Sequence, residues 1–168
     1  MTEYLSREEL EQLLHSIQSP RDKLLVRFLY ESGCSISELS ELKTSTLHAD
    51  GTLLIGSRKA VISAELAHEL LKQADTYVFH TRQTPTITPK RIQQILKPYI
   101  AAVHKGKVTP HVLRYTHIVH AYTQGVPLAA ISEQTGLTCV RLGQIVAELP
   151  VQRGYGTFFS GKKGVRGT

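Results

Sequence analysis

The chain has 168 residues, of which 41% are hydrophobic and 20% are charged, so it has the size and composition of a single soluble globular domain. Its net charge of +6 favours a polyanionic partner, most commonly nucleic acid, although composition alone leaves a merely basic protein equally open. The sequence has no apolar run long enough for a membrane span, and its acidic N-terminus is not typical of a secretory signal. The two cysteines, Cys34 and Cys139, are too few and too distant for a disulfide framework. We therefore expect a cytoplasmic protein.

The first third of the chain is predicted to form three helices. Ser6 and Ser35 each stand three residues before a glutamate, which is the pattern of a capping box and predicts a helix start. Between them, Pro20 begins another helix, and Gly33 is placed to end it in a left-handed conformation.

The hydrophobic periodicity then changes to that of a small sheet. Residues 52–55 and 60–63 read as two short strands joined by a turn at 56–59, which predicts a β-hairpin. A helix is expected at 64–74, and residues 77–79 are a candidate third strand.

The second half of the chain is predicted to be helical. Residues 88–89 and 109–110 are both Thr–Pro pairs, a cap residue followed by proline, and they predict helices that run to about residues 104 and 122. Two further helices are expected at 127–134 and 139–148. The fold class is therefore mainly α with a small antiparallel β-hairpin.

The most informative stretch is TPHVLRYTH, which begins at Thr109. His111 and Arg114 are three residues apart, so they share one face of the predicted helix close to the positive end of its dipole. Because a helix N-terminus attracts anions and arginine can grip two phosphate oxygens, the pair predicts a phosphate site. A core-facing helix with a surface arginine is an equally good interpretation of this motif by itself.

Three segments in order resemble the catalytic domain of the tyrosine recombinase (phage integrase) family. TPHVLRYTH resembles its TPH-x-L-R-H-T-F box, HAYTQGVPLAAISEQTG resembles the segment that follows, and FLYESGCSISEL resembles its first box. The predicted hairpin resembles the one that carries the family's catalytic lysine. The resemblance covers about residues 5–150 and implies the tyrosine recombinase catalytic-domain fold.

The resemblance also assigns the family's active-site positions, which are two arginines, a lysine, two histidines and a tyrosine nucleophile. Three of these positions keep the family's residue, namely Lys59, His111 and Arg114. Three have lost it: Ser35 stands for the first arginine, Leu137 for the second histidine and Val146 for the tyrosine.

These losses predict that the chain does not cut DNA. Valine has no oxygen to attack phosphorus, and losing one charge-stabilising donor costs about 10²–10³ in rate. Tyr155 is an alternative nucleophile, although packing or stacking on nucleic acid is the preferred interpretation of this aromatic. His117 and His120 share a helix face, but no Cys, Asp or Glu completes a ligand set, so we expect neither a metal nor a cofactor.

Double-stranded DNA is the partner that the resemblance and the local charge together favour. The helix after Thr88 offers a set of polar and basic side chains for phosphate or groove contacts: Lys90, Arg91, Gln94, Lys97 and Lys105. Arg114 would grip a phosphate, and the C-terminal residues could add non-specific contacts through Arg153, Lys162, Lys163 and Arg166. A surface helix without any partner is the alternative for the first set.

The chain is expected to consist of a recombinase-like domain at 1–150 and a flexible, basic, glycine-rich tail at 151–168. Because the boxes begin close to Met1, we expect the family's N-terminal core-binding domain to be absent and the affinity for duplex to be modest, about 10⁻⁴–10⁻⁶ M. The tail is a candidate for self-association or for docking on a recombinase partner.

The favoured function is that of a catalytically inactive, nucleoid-associated DNA-binding protein with an architectural or regulatory role. An active recombinase that uses Tyr155 is one alternative. A recombinase fold reused for protein or RNA binding is the other.

Overall fold

The computed structural model describes residues 2–149, which fold into helices around one two-stranded antiparallel sheet. The mainly α class with a small hairpin is confirmed. The elements in chain order are α1 (Arg7–Ser16), α2 (Pro20–Ser32), α3 (Ile36–Ser40), a 3₁₀ turn (Thr44–Thr46), β1 (Thr52–Ile55), β2 (Arg58–Val61), α4 (Ala64–Gln73), α5 (Pro89–Val103), α6 (Val112–Thr123), α7 (Leu128–Thr135) and α8 (Cys139–Ala147).

The predicted caps of the first three helices are confirmed. Ser6 and Ser35 each form a capping box, in which the serine hydroxyl accepts from the backbone N–H three residues later and the glutamate there accepts in return. Gly33 ends α2 with φ +66°, and a Cβ at this position would lie 2.6 Å from Cδ2 of His117. Glycine therefore allows both the turn and the close approach of α6.

The hairpin register differs from the expected one. Ile55 pairs with Arg58, so the turn contains only Gly56 and Ser57, and β2 begins two residues before the predicted strand. The amide of Gln134 bonds the outer edge of β2, accepting from Val61 N at 3.0 Å and donating to Val61 O at 2.7 Å. This contact from α7 fixes β2 in a way that a local sequence pattern does not encode.

Two other predictions are corrected. The candidate strand at 77–79 is only a single bridge between Lys43 and Tyr77. The helix expected from Thr109 begins at Val112 with His111 as its N-cap, because Val112 N donates to the carbonyl of Thr109 in a preceding turn. The hydroxyl of Thr109 is buried and has no hydrogen-bond partner within residues 2–149.

The buried side chains form two clusters. The larger one lies among α1 to α6 and the hairpin, where Phe28 and Phe79 meet edge to face with centroids 5.8 Å apart. The smaller one joins α6, α7 and α8 through Ile118, Ile131, Leu142, Ile145 and Val146. Across residues 2–149, no helix has both the length and the apolar character needed to span a bilayer.

Candidate functional site

Two arginines from different elements meet at the C-terminal end of α7. Nε of Arg58 donates to the carbonyl of Gln134 at 3.2 Å, and Nη2 of Arg114 donates to the carbonyl of Thr135 at 2.7 Å. The last carbonyls of a helix have no partner inside it and lie at the negative end of its dipole. The end of α7 therefore holds two guanidinium groups side by side.

Arg114 is fixed by a second carbonyl. Its Nε donates to the carbonyl of Gly33 at 3.1 Å, so the guanidinium joins the turn after α2 to the end of α7. Burial lowers the pKa of Arg114, but a guanidinium stays protonated at any ordinary pH. Its Nη1 has no hydrogen-bond partner within residues 2–149, which leaves donors available to a ligand.

Glu38 is the anion of this cluster. Its carboxylate pairs with both terminal nitrogens of Arg58, one of them at 3.1 Å, and also accepts from Ser35 N at 2.9 Å. Burial would raise the pKa of Glu38, but the hydrogen bonds from Arg58 and Ser35 and the charges of Arg58 and Arg114 hold it below its usual value. The carboxylate is therefore ionised.

His111 lies beside the cluster as a neutral imidazole. Burial and the charge of Arg114 lower its pKa, and its ring meets Tyr115 edge to face with centroids 6.5 Å apart. Its Nδ1 is buried without a partner among the described residues, whereas native buried nitrogens are usually satisfied. His111 therefore lies within range of the Arg114 charge and has one ring nitrogen without a partner among the described residues.

Lys59 does not join this cluster. Side chains alternate along a strand, and Arg58 and Ala60 face inward while Lys59 lies exposed opposite Leu54. Its ammonium makes no hydrogen bond or ion pair within residues 2–149. The structure thus does not bring Lys59 beside Arg114, and Arg58 takes the inward position on β2 instead. The role expected for Lys59 stays a prediction.

The sequence model of the phage integrase family matches residues 3–142. The chain belongs to the phage integrase family. Tyrosine recombinase XerA of Thermococcus kodakarensis is 28% identical over an alignment of 166 residues, gaps included, which covers 88% of this chain and 58% of that protein. The chain thus spans little more than half the length of this curated relative.

Solved structures agree with this membership at the level of the fold. The crystal structure of XerA recombinase has a TM-score of 0.80 at 22% identity, over 95% of this chain and 63% of that one. The Tn1549 transposon integrase in complex with transposon right end DNA has a TM-score of 0.74 at 14% identity, over 94% and 65% of the two chains. The predicted catalytic-domain fold is confirmed.

Ser35, Leu137 and Val146, the three positions that the resemblance assigns to missing active-site residues, all make structural contacts. The hydroxyl of Ser35 caps α3 by accepting from Glu38 N at 3.2 Å. Leu137 packs against the smaller core, and its carbonyl accepts from the hydroxyl of Ser132 at 2.7 Å. Val146 lies inside that core and is 6% exposed.

Helix α5 presents a basic face to solvent. The hydroxyl of Thr88 caps the helix by accepting from Arg91 N at 3.1 Å. Four exposed side chains follow on the helix, and none of them makes a hydrogen bond or ion pair within residues 2–149: Lys90, Arg91, Gln94 and Lys97. Lys105 is also exposed but lies beyond the end of α5.

The two histidines within α6 stabilise the fold through hydrogen bonds to backbone carbonyls. Nδ1 of His117 donates to Tyr30 O at 2.7 Å, and Nε2 of His120 donates to Leu5 O at 2.9 Å. Burial lowers the pKa of both rings, so both are neutral. In residues 2–149 there is no group of three or more His, Cys, Asp or Glu side chains placed to hold a metal ion.

Arg58 and Glu38 are the members of the cluster that sequence reasoning missed. The sequence predicts only a capping role for Glu38. It places Arg58 in the hairpin turn and not in β2, so it does not indicate that this side chain faces inward. Cys34 lies nearby, and burial raises its pKa to about 12, so its thiol is protonated and unreactive. The predicted tail at 151–168 lies outside the described residues, so the roles expected for Tyr155, Arg153, Lys162, Lys163 and Arg166 stay predictions.

Proposed function

We propose that this member of the phage integrase family binds double-stranded DNA without cutting it, in an architectural or regulatory role. The observation that carries the proposal is the basic face of α5, whose exposed side chains make no ion pair within residues 2–149. A cavity of about 110 Å³ separates Lys97 from Thr109 and Pro110, the residues that lead into His111, and Ile36 from the start of α3 lines the same cavity. The cavity therefore joins Lys97 of the basic face to the segment that leads into α6.

The charges on this surface are available to a ligand. Arg27, elsewhere on the molecule, lies 3.7 Å from both Glu31 and Glu65, whereas Lys97 and Arg91 make no such pair within residues 2–149. Unpaired cations on one helix face are the electrostatic footprint of a polyanion site. The Tn1549 integrase, which shares the fold, was solved in complex with DNA.

The proposed absence of strand cleavage rests on the side chains at the family's reactive positions. A valine at 146 offers no nucleophile, and a serine at 35 carries no charge to stabilise a phosphorane. Ser35 is committed to capping α3, and Val146 to the smaller core. The side chains of these positions are thus part of the fold.

Duplex binding over a salt series tests the DNA proposal. Lys97→Ala should weaken binding severalfold and reduce the slope of log K against log salt by about one, because one phosphate contact is lost. Lys72→Ala, an exposed helix lysine on α4, is the matched control and should leave both quantities unchanged. Equal effects of the two variants, or no binding by the native chain at low salt, would contradict the proposal.

A suicide substrate, in which the cleaved product cannot be religated, tests the absence of cleavage. We expect no covalent protein–DNA adduct on a denaturing gel, because no nucleophile stands at position 146. A substrate reacted with an active tyrosine recombinase serves as the positive control. An adduct that disappears in Tyr155→Phe would establish the alternative, an active enzyme with a displaced nucleophile.

A further inference from the structure

We propose that Arg58 is a second phosphate ligand of this surface, and that the Glu38 carboxylate is the resident anion which a DNA phosphate replaces. This inference rests on the proposed function, because it takes the arginine cluster to be the place where the DNA backbone is held. The resemblance places an arginine where this chain has Ser35. Arg58, on the inward face of β2, would supply that positive charge instead.

The geometry places Arg58 next to Arg114. The two guanidinium groups bond successive carbonyls of α7, those of Gln134 and Thr135. Gly136 leaves room for this arrangement, since a Cβ there would lie 2.7 Å from Nη1 of Arg58. The positive charge therefore sits beside Ser35, which shares the same Glu38 carboxylate through its backbone N–H.

The charge balance explains why an anion must be present. Arg58 and Arg114 contribute two positive charges, and the neutral His111 contributes none. Two neighbouring guanidinium groups repel each other, and the Glu38 carboxylate, which pairs with Arg58, offsets that repulsion. A phosphodiester has the same single charge and accepts two parallel N–H bonds from an arginine, so it can take the place of the carboxylate.

The pair is also accessible from outside. The side chains of Arg58 and Glu38 are 20% and 28% exposed, so a phosphate can approach without unfolding the hairpin. A purely structural ion pair would brace β2 against α3 and nothing more. The two interpretations differ in what happens to anion binding when the carboxylate is neutralised.

Neutralising Glu38 provides the decisive comparison. Glu38→Gln keeps an oxygen for the Ser35 N–H but frees Arg58, so duplex binding at fixed low salt should tighten by about tenfold, as expected for a recovered charge-assisted contact. Glu41→Gln changes the net charge equally at an exposed site three residues away and should change binding less than twofold. Equal gains in both variants would overturn the proposal.

A second variant assigns the gain to Arg58. Adding Arg58→Gln to Glu38→Gln should return the affinity to the native level or below. An undiminished gain in the double variant would overturn the role of Arg58. If Glu38→Gln does not fold, as judged by its melting curve, Arg58→Gln alone in the native chain should still weaken duplex binding, and unchanged binding would count against the proposal.

Inorganic phosphate separates this inference from the DNA proposal. At equal ionic strength, phosphate should raise the Tm above its value in chloride, more so in Glu38→Gln than in the native chain and least in Arg58→Gln. A native chain that ignores duplex but follows this order would contradict the proposed function and support the anion site. The same Tm in phosphate and chloride for all three proteins would reject the site itself.

Discussion

At the scale of the residue, Arg114 has a structural role that is independent of any ligand. A guanidinium has five N–H donors, and two of them already bond the carbonyls of Gly33 and Thr135. These bonds fix the plane of the group before a phosphate arrives, so little side-chain entropy remains to be lost on binding. Bracing the fold and gripping an anion are therefore compatible tasks for one side chain.

Gly33 makes that brace possible. Its left-handed backbone turns the carbonyl toward Arg114, and its missing side chain admits the ring of His117. The sequence indicated a helix end at this glycine. It did not indicate that two side chains of α6 converge on the same turn, because that contact joins residues about 80 positions apart.

At the scale of the element, the two Thr–Pro pairs form a natural comparison. The hydroxyl of Thr88 caps α5, whereas the hydroxyl of Thr109 is buried without a partner in the described part of the chain. Thr88→Val should therefore lower the free energy of unfolding by about 1 kcal/mol, the usual contribution of an N-cap. Thr109→Val should leave it unchanged or raise it, because a buried hydroxyl without a partner is costly.

Chemical denaturation of the two valine variants measures this difference. Valine has nearly the shape of threonine, so each variant serves as the packing control for the other. A loss at position 109 as large as the loss at 88 would mean that the Thr109 hydroxyl is bonded after all.

Sequence patterns predicted the elements whose ends are set locally. The capping boxes at Ser6 and Ser35 and the Thr–Pro pair at 88–89 each contain the hydrogen bonds that start their helix. The hairpin register depends instead on the Gln134 amide, which reaches β2 from α7. A one-residue shift of β2 would exchange the faces of Arg58 and Lys59, so the register decides which of the two cations faces inward.

At the scale of the whole molecule, His104 ties the N-terminal segment to the end of α5. Its Nδ1 lies 2.8 Å from Glu9 and its Nε2 lies 3.0 Å from Glu3, so both ring nitrogens donate only in the imidazolium form. Burial opposes the charge, but the hydrogen bonds to the two carboxylates together raise the pKa of His104 above 6.5. The hydrogen bond from His104 lowers the pKa of Glu3. The pKa of Glu9 is also lowered, although partial burial of this carboxyl group opposes the shift.

The sign of the pH dependence follows from these shifts. A raised histidine pKa gives stability that is complete below 6.5 and is lost as the pH rises through the folded-state value. Lowered glutamate pKa values give stability that is present above 4.5 and is lost as the pH falls through their folded-state values. The three groups together therefore stabilise the fold most in mildly acidic solution, between these two limits.

A histidine variant separates this contribution from that of the buried neutral histidines, His117 and His120, which destabilise the fold when acid charges them. The difference in unfolding free energy between the native chain and His104→Gln should be larger at about pH 6 than at about pH 9, because only the protonated ring donates to both carboxylates. His68→Gln, at an exposed position on α4, should leave the free energy of unfolding unchanged at both pH values. A His104→Gln difference that is independent of pH would mean that the ring is neutral and that packing alone joins the N-terminal segment to α5.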